Sequence, residues 1–137
     1  MYIGIHTSFK MDKETMTKRI IKGMDNEQAD FLAHPTGRII GRREAYEVDI
    51  EQIIDMAKET DTRLEINSFP ERLDLDDIHV KLAKEHGVQF VLGTDSHSIN
   101  HLDFMRFGIA TARRGWLEKK DILNTYSVKD IEKILGA

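Results

Sequence analysis

The chain has 137 residues, 40% of them hydrophobic and 32% charged, which is typical of one folded domain and excludes a disordered or fibrous protein. It contains no cysteine, which excludes disulfides, thiolate catalysis and cysteine-based zinc fingers and leaves imidazole, carboxylate, carbonyl and water as metal ligands. Its formal net charge of −4 excludes a general attraction to nucleic acid, so a phosphate-bearing partner would need a local basic patch or bound cations.

Four short apolar runs, each followed by a helical pattern, predict four βα units. The first strand spans Tyr2 to His6. Asp12 is then placed to cap a helix in which Met16, Ile20 and Met24 recur every four residues. This period predicts that one face of the first helix is buried.

The second strand is a very short run from Phe31 to His34, followed by a turn-rich and arginine-rich loop. Asp49 and Gln52 then have the spacing of a capping box. The second helix is predicted to bury one apolar stripe, formed by Ile50, Ile53, Ile54 and Ala57.

The third unit begins with a strand from Leu64 to Asn67. Its helix is predicted to start after Asp74 and to stop at Gly87. The residues expected on its buried side are Leu75, Ile78 and Leu82.

The fourth strand, Val88 to Gly93, is followed by a helix predicted to start at Asn100 and to end at Gly115. Its apolar period uses Leu102, Met105, Ile109 and Ala112. We expect Trp116 to pack against the protein. A last short helix after Ser127 would use Val128, Ile131, Ile134 and Leu135.

Strands that alternate with helices predict a parallel sheet in an α/β fold, and four units are half of an eight-unit barrel. In such folds the chemistry gathers at the carboxyl ends of the strands. The polar residues at the predicted strand ends are His6, His34, Glu65, Asn67, Asp95 and His97. The repeat therefore predicts that these side chains converge.

Imidazole and carboxylate groups at strand ends suit manganese or zinc, and an open site of this kind would supply a metal-bound hydroxide for hydrolysis. Each residue taken singly also has a structural interpretation. Asp95 would satisfy backbone groups at a turn, His34 would be a turn residue before Pro35, and His6 a half-buried core histidine. Their shared position at successive strand ends favours the metal site.

The segment "HPTGRIIGRRE", His34 to Glu44, carries Arg38, Arg42 and Arg43 next to a predicted ligand. Guanidinium groups bind phosphate oxygens in bidentate geometry, which would indicate a phosphate-bearing substrate. The alternative is a solvated loop whose arginines pair with nearby carboxylates, and both interpretations stay open. Among the other histidines, we expect His79 and His86 on the surface, and His101 would either support the site or be exposed.

Five blocks in order, "IGIHTSF", "HPTGRIIGRRE", "LEINSFPERLDL", "TDSHS" and "ARRGWLEKKDILNT", resemble the carboxyl-terminal part of the PHP (polymerase and histidinol phosphatase) domain of bacterial and archaeal family X DNA polymerases. The resemblance implies a distorted seven-stranded βα barrel with manganese or zinc. It implies a 3′-to-5′ exonuclease or a DNA end-processing activity in repair, with single-stranded DNA or 3′ ends as the partner.

Matching these motifs implies that His6, His34, Asp95 and His97 are metal ligands, with Asp95 and His97 as the catalytic pair. Arg38 and Arg42 would bind substrate phosphate. Glu65 and Asn67 fall on a matching strand and would orient the metal ligands without binding metal themselves.

The family's first ligands come from an H-x-H motif, a D-H motif and a glutamate on earlier strands, none of which this sequence supplies. We therefore expect residues 1–137 to be the latter part of a PHP domain, without the earlier strands or the polymerase module and with little activity alone. The alternatives are a non-catalytic docking module of a repair polymerase and a histidinol-phosphatase-like phosphomonoesterase. The sequence contains neither a signal peptide nor a membrane span, so we expect a cytoplasmic location.

Overall fold

The computed structural model describes residues 1–136. It contains a parallel sheet of four strands in the order β1-β2-β3-β4. The strands are β1 (Tyr2–Ile3), β2 (Phe31–Leu32), β3 (Arg63–Asn67) and β4 (Phe90–Gly93). The helices are α1 (Lys13–Met24), α2 (Ile50–Glu59), α3 (Asp77–Glu85), α4 (Met105–Arg114) and α5 (Val128–Leu135). The predicted α/β fold of four βα units is confirmed.

The first two helices begin where the sequence predicts. The Asp12 carboxylate accepts a hydrogen bond from the backbone N–H of Thr15, and Asp49 accepts one from Gln52. These bonds satisfy N–H groups that have no partner within a helix. Most of the predicted apolar residues are buried, namely Met16, Ile20 and Met24 on α1 and Ile53, Ile54 and Ala57 on α2, while Ile50 is partly buried against the core.

The sheet is covered by helices and has two edges. α1 packs on α2 and α3 on α4, while α4 also contacts β3 and β4. All five residues of β3 are buried, as expected for a central parallel strand. The outer edge of β4 is covered by the segment after α4, where Ile122 bridges to Phe90. No helix within residues 1–136 is long and apolar enough to cross a bilayer.

The predicted start of α3 was wrong, and of its predicted buried residues Leu82 packs against the core whereas Ile78 does not. The helix is capped by Asp76, and its buried residues are Val80 and Ala83, while Ile78 is 75% exposed. The reason is that the preceding segment folds back on β3, where Asp74 pairs with Asn67. Leu75 therefore enters the core from this loop and not from the helix.

The start of α4 and the environment of Trp116 also differ from the prediction. Residues Ile99–Phe104 form a 3₁₀ helix, and α4 begins only at Met105. The Ser98 side chain gives this segment no capping hydrogen bond. Trp116 is 72% exposed and follows the end of α4 with a φ of 62°, while the next residue, Leu117, packs against the core.

Candidate functional site

His6 and His34 lie together beyond the ends of β1 and β2. Their ring centroids are 5.2 Å apart with the rings nearly perpendicular. His34 is buried and His6 is exposed. Gly4 makes this approach possible, since a Cβ atom there would lie 3.3 Å from both His6 Nε2 and His34 Cε1. The structure thus brings two of the four predicted ligands side by side.

Glu65 supports His34 through the backbone. Its Oε2 accepts a hydrogen bond of 2.8 Å from the His34 N–H and one of 3.3 Å from the Asn67 side chain. Burial raises the pKa of the Glu65 carboxyl. Glu65 thus binds the backbone of His34, and Asn67 binds the Glu65 carboxylate.

Asp95 and His97 occupy one tight turn after β4. Asp95 has a φ of 50°, and its carbonyl oxygen lies 2.8 Å from His97 Nδ1. The backbone N–H of His97 donates to Nδ1 of His101, whose ring stacks on Phe104. His101, left open by the sequence, therefore supports the turn that carries His97.

Arg72 connects the two parts of the site and was missed by the sequence analysis. Its Nε lies 3.2 Å from Asp95 Oδ2, and its Nη1 is buried without a hydrogen-bond partner. Burial, and next the positive charge of Arg72, lower the pKa of His34 to about 4. His34 is therefore a neutral imidazole at pH 7.

A pocket of about 200 Å³ opens beside this arginine. It is lined by Ile39, Phe69, Glu71, Arg72, Asp95 and His97. No polar pattern at a strand end marks Arg72, because it belongs to the loop that folds back after β3. The available signal was its place inside the "LEINSFPERLDL" block.

The donor set fits a metal ion only in part. Within residues 1–136, no three His, Asp or Glu side chains are placed to hold a metal ion. His34 Nδ1 is nevertheless a buried nitrogen without a hydrogen-bond partner, beside a second imidazole. The Asp95 carboxylate pairs with Arg72 instead of joining them. The four predicted ligands thus form two separate pairs, His6 with His34 and Asp95 with His97. The metal site stays a prediction.

The arginines of the loop after β2 have different surroundings. Arg38 donates to the backbone carbonyls of Arg72 and Leu73, and its guanidinium lies near Asp76. Arg42 is an exposed side chain that reaches Glu71 at 3.5 Å. Arg38 therefore holds the loop that carries Arg72, whereas Arg42 is accessible. Phosphate binding by either arginine stays a prediction.

No protein-family model matches the chain. It is 47% identical over 132 residues to the DNA polymerase/3′-5′ exonuclease PolX of Bacillus subtilis, which covers 96% of this chain and 23% of that protein. It is 34% identical over 94 residues to a probable phosphatase of Clostridium novyi, which covers 61% of this chain and 34% of that protein. A probable phosphatase of Thermoanaerobacter is 29% identical over 129 residues, or 90% of this chain and 49% of that protein.

The chain thus spans less than half the length of each of these relatives. The match to PolX covers 96% of the residues of this chain. This identity confirms the resemblance to family X DNA polymerases predicted from the five sequence blocks, and the likeness to probable phosphatases is consistent with a PHP segment.

Proposed function

We propose that the chain is part of a metal-dependent phosphoesterase that acts on DNA, as a 3′-to-5′ exonuclease or in the processing of DNA ends during repair. Support comes from the PolX relative, which is a DNA polymerase/3′-5′ exonuclease by name, and from the probable phosphatases. The observation that carries the proposal is the Arg72 guanidinium at the strand ends, bound to Asp95 and close to the neutral His34.

In this proposal His6, His34, Asp95 and His97 would hold manganese or zinc, which would lower the pKa of water and neutralise charge at the phosphate. A neutral imidazole is the form that binds metal, which agrees with the low pKa of His34. Asp95 and His97 are the proposed catalytic residues. The remaining ligands would come from a segment of a longer protein, since PolX is about four times as long as the matched region.

Arg72 is the best-placed group to bind a substrate phosphate. Arg72 lines the pocket beside Asp95 and His97, and part of its side chain is accessible there, so its guanidinium would bind a phosphate oxygen in the pocket. Phosphate would also replace Asp95 as the counter-charge and free that carboxylate for metal. We retain Arg42 as a contact for a neighbouring phosphate and assign Arg38 mainly to holding the loop.

Two alternatives rest on specific observations. The probable phosphatases among the relatives favour a phosphomonoester substrate. The lack of a three-residue metal group within residues 1–136 favours a non-catalytic docking module of a repair polymerase. In all three versions the proposed location is the cytoplasm, with the polymerase module as a partner.

Calorimetric titration with Mn²⁺ and Zn²⁺ tests the proposal. The parent chain is compared with His34→Ala, Asp95→Ala and, as a control, His86→Ala, a histidine on the far end of α3 that pairs with Asp55. We expect binding in the parent and the control and loss of binding in the other two variants. Equal titrations for all four proteins would show that these strand-end residues form no metal site and would favour the docking-module alternative.

The substrate is tested by comparing hydrolysis of a single-stranded oligonucleotide with that of a phosphomonoester in the full-length protein that contains this segment. Faster release from the oligonucleotide supports the DNA substrate. Release from the phosphomonoester alone would establish the phosphatase alternative. Arg72→Met should raise the KM for either substrate, because the phosphate loses a charged partner.

A further inference from the structure

Asp74 is a carboxylate with no exposed surface that lies in the loop after β3. One of its oxygens accepts hydrogen bonds from the backbone N–H and the hydroxyl of Thr36, at 3.1 and 2.9 Å. Its other oxygen accepts a bond of 3.0 Å from the same Thr36 N–H and one of 2.7 Å from the N–H of Gly37. All these donors belong to the turn that follows His34.

Two buried carboxylates together bind every backbone N–H of the segment from His34 to Gly37. Glu65 accepts from His34, and Asp74 accepts from Thr36 and Gly37, while Pro35 has no N–H. Bonds from backbone N–H groups to a carboxylate are among the stronger hydrogen bonds in proteins. The turn is therefore fixed from both of its ends.

This turn has an unfavourable backbone conformation that needs such support. His34 has a φ of 32°, a region that residues other than glycine rarely adopt. Gly37 has a φ of 62°, and a Cβ atom at this position would lie 2.2 Å from the ring of Tyr46. The Tyr46 hydroxyl donates to the carbonyl of Pro35. Tyr46 and Asp74 thus leave the turn little freedom.

We propose that Asp74 is a positioning residue, whose carboxylate holds the turn from His34 to Gly37 in the conformation that presents the His34 imidazole beside His6. The importance of this placement rests on the proposed function, in which both histidines bind metal. Asp74 does not touch the metal or the substrate. It acts through the backbone, from the loop that also carries Arg72.

The test is Asp74→Asn in the whole 137-residue chain. Asparagine keeps the size of the side chain but loses the negative charge and one of the two acceptor oxygens, so the hydrogen bonds from Thr36 and Gly37 become fewer or weaker. Asp55→Asn is the control, because Asp55 is an exposed carboxylate paired with His86. NMR of the metal-free proteins reports the Gly37 amide and the His34 ring nitrogens. Calorimetry reports Zn²⁺ affinity.

We expect Asp74→Asn to shift the Gly37 and His34 signals and to lower Zn²⁺ affinity about tenfold or more, the usual effect of removing a group that orients a metal ligand. Asp55→Asn should change neither. A folded Asp74→Asn protein with the His34 signals and the Zn²⁺ affinity of the parent would overturn the proposal.

A second pair of variants decides the question if Asp74→Asn does not fold. Thr36→Val removes only the hydroxyl bond to Asp74, and Thr36→Ser keeps it. We expect shifted His34 signals in the valine variant and parent signals in the serine variant, whereas parent signals in both would overturn the proposal. If the parent itself binds no Zn²⁺, the metal function fails, and the His34 signals alone still decide whether Asp74 positions the ring.

Discussion

At the scale of single residues, Arg72 adds to the effect of burial on the pKa of His34. Burial and this arginine together lower the pKa of His34 to about 4. We predict that Arg72→Met raises that pKa toward the unperturbed value of about 6.5, because a neighbouring positive charge no longer opposes protonation. The measurement is an NMR titration of the His34 ring in the metal-free chain.

Arg42→Met is the matched control for this titration. Arg42 is 72% exposed in its side chain and pairs with Glu71 at the surface. Solvent screens such a charge, so the His34 pKa should stay near its parent value. An unchanged His34 pKa in Arg72→Met would show that burial alone lowers it.

Gly93 is a second residue whose identity the site requires. It ends β4 beside Glu65, and a Cβ atom there would lie 2.1 Å from Glu65 Oε1. We predict that Gly93→Ala displaces the Glu65 carboxylate from the His34 N–H and costs about 1–3 kcal/mol of unfolding free energy through overpacking. Urea unfolding measures the cost.

Gly23→Ala serves as the comparison because Gly23 lies within α1 and an added Cβ would meet Ile3 at an ordinary 3.4 Å. Alanine is favoured over glycine inside a helix by up to about 1 kcal/mol, so this variant should be neutral or more stable. Equal unfolding free energies for the two alanine variants would show that the Glu65 side chain moves aside without a loss of stability.

At the scale of secondary structure, Asn124 protects the edge of the sheet. Its side chain accepts a hydrogen bond of 2.7 Å from the Leu92 N–H and donates one of 3.0 Å to the Leu92 carbonyl. The amide thus takes the place of a neighbouring strand. An edge strand with free N–H and C=O groups is a template for pairing with another chain.

We predict that Asn124→Ala lowers the unfolding free energy by about 1–3 kcal/mol, since both backbone groups lose their partner, and that it promotes self-association. Urea unfolding and sedimentation velocity measure the two effects. Asn100→Ala, at an exposed position of the 3₁₀ helix, should stay within about 0.5 kcal/mol of the parent. A stable, monomeric Asn124→Ala protein would contradict this role.

The elements that depend on local signals were predictable from the sequence. The caps Asp12 and Asp49 and the apolar periods of α1 and α2 have their cause within a few neighbouring residues, and both helices form as predicted. α3 was misplaced because Leu75 follows the period of a helix while belonging to a loop, whose course is fixed by the pairing of Asp74 with Asn67.

The same long-range pairing explains why some residues of the site could be predicted from the sequence and others could not. The βα repeat predicted that His6 and His34 meet, because strand ends of a parallel sheet share one edge. It gave no indication of Arg72 or Asp74, whose positions depend on a loop that returns across the sheet. Partner residues 38 positions apart, such as Thr36 and Asp74, leave no periodic signal in the sequence.

At the scale of the whole molecule, one core joins nearly all the elements. The core cluster includes residues from α1, β2, α2, β3, α3, β4 and α4. Helix α5 contributes none, since it has no buried residue and Val128 is 73% exposed. The apolar period of α5 predicted a helix correctly, but its apolar face lies outside this core.

We therefore predict that the core elements unfold in one cooperative step and that α5 opens separately. In native-state hydrogen exchange, the slowest amides of α2, β3 and β4 should have an opening free energy equal to that of global unfolding. Its dependence on urea should also match that of global unfolding. The amides of α5 should exchange with a smaller free energy that hardly depends on urea, because local opening exposes little surface. Global protection of the α5 amides would show that this helix is part of the cooperative unit.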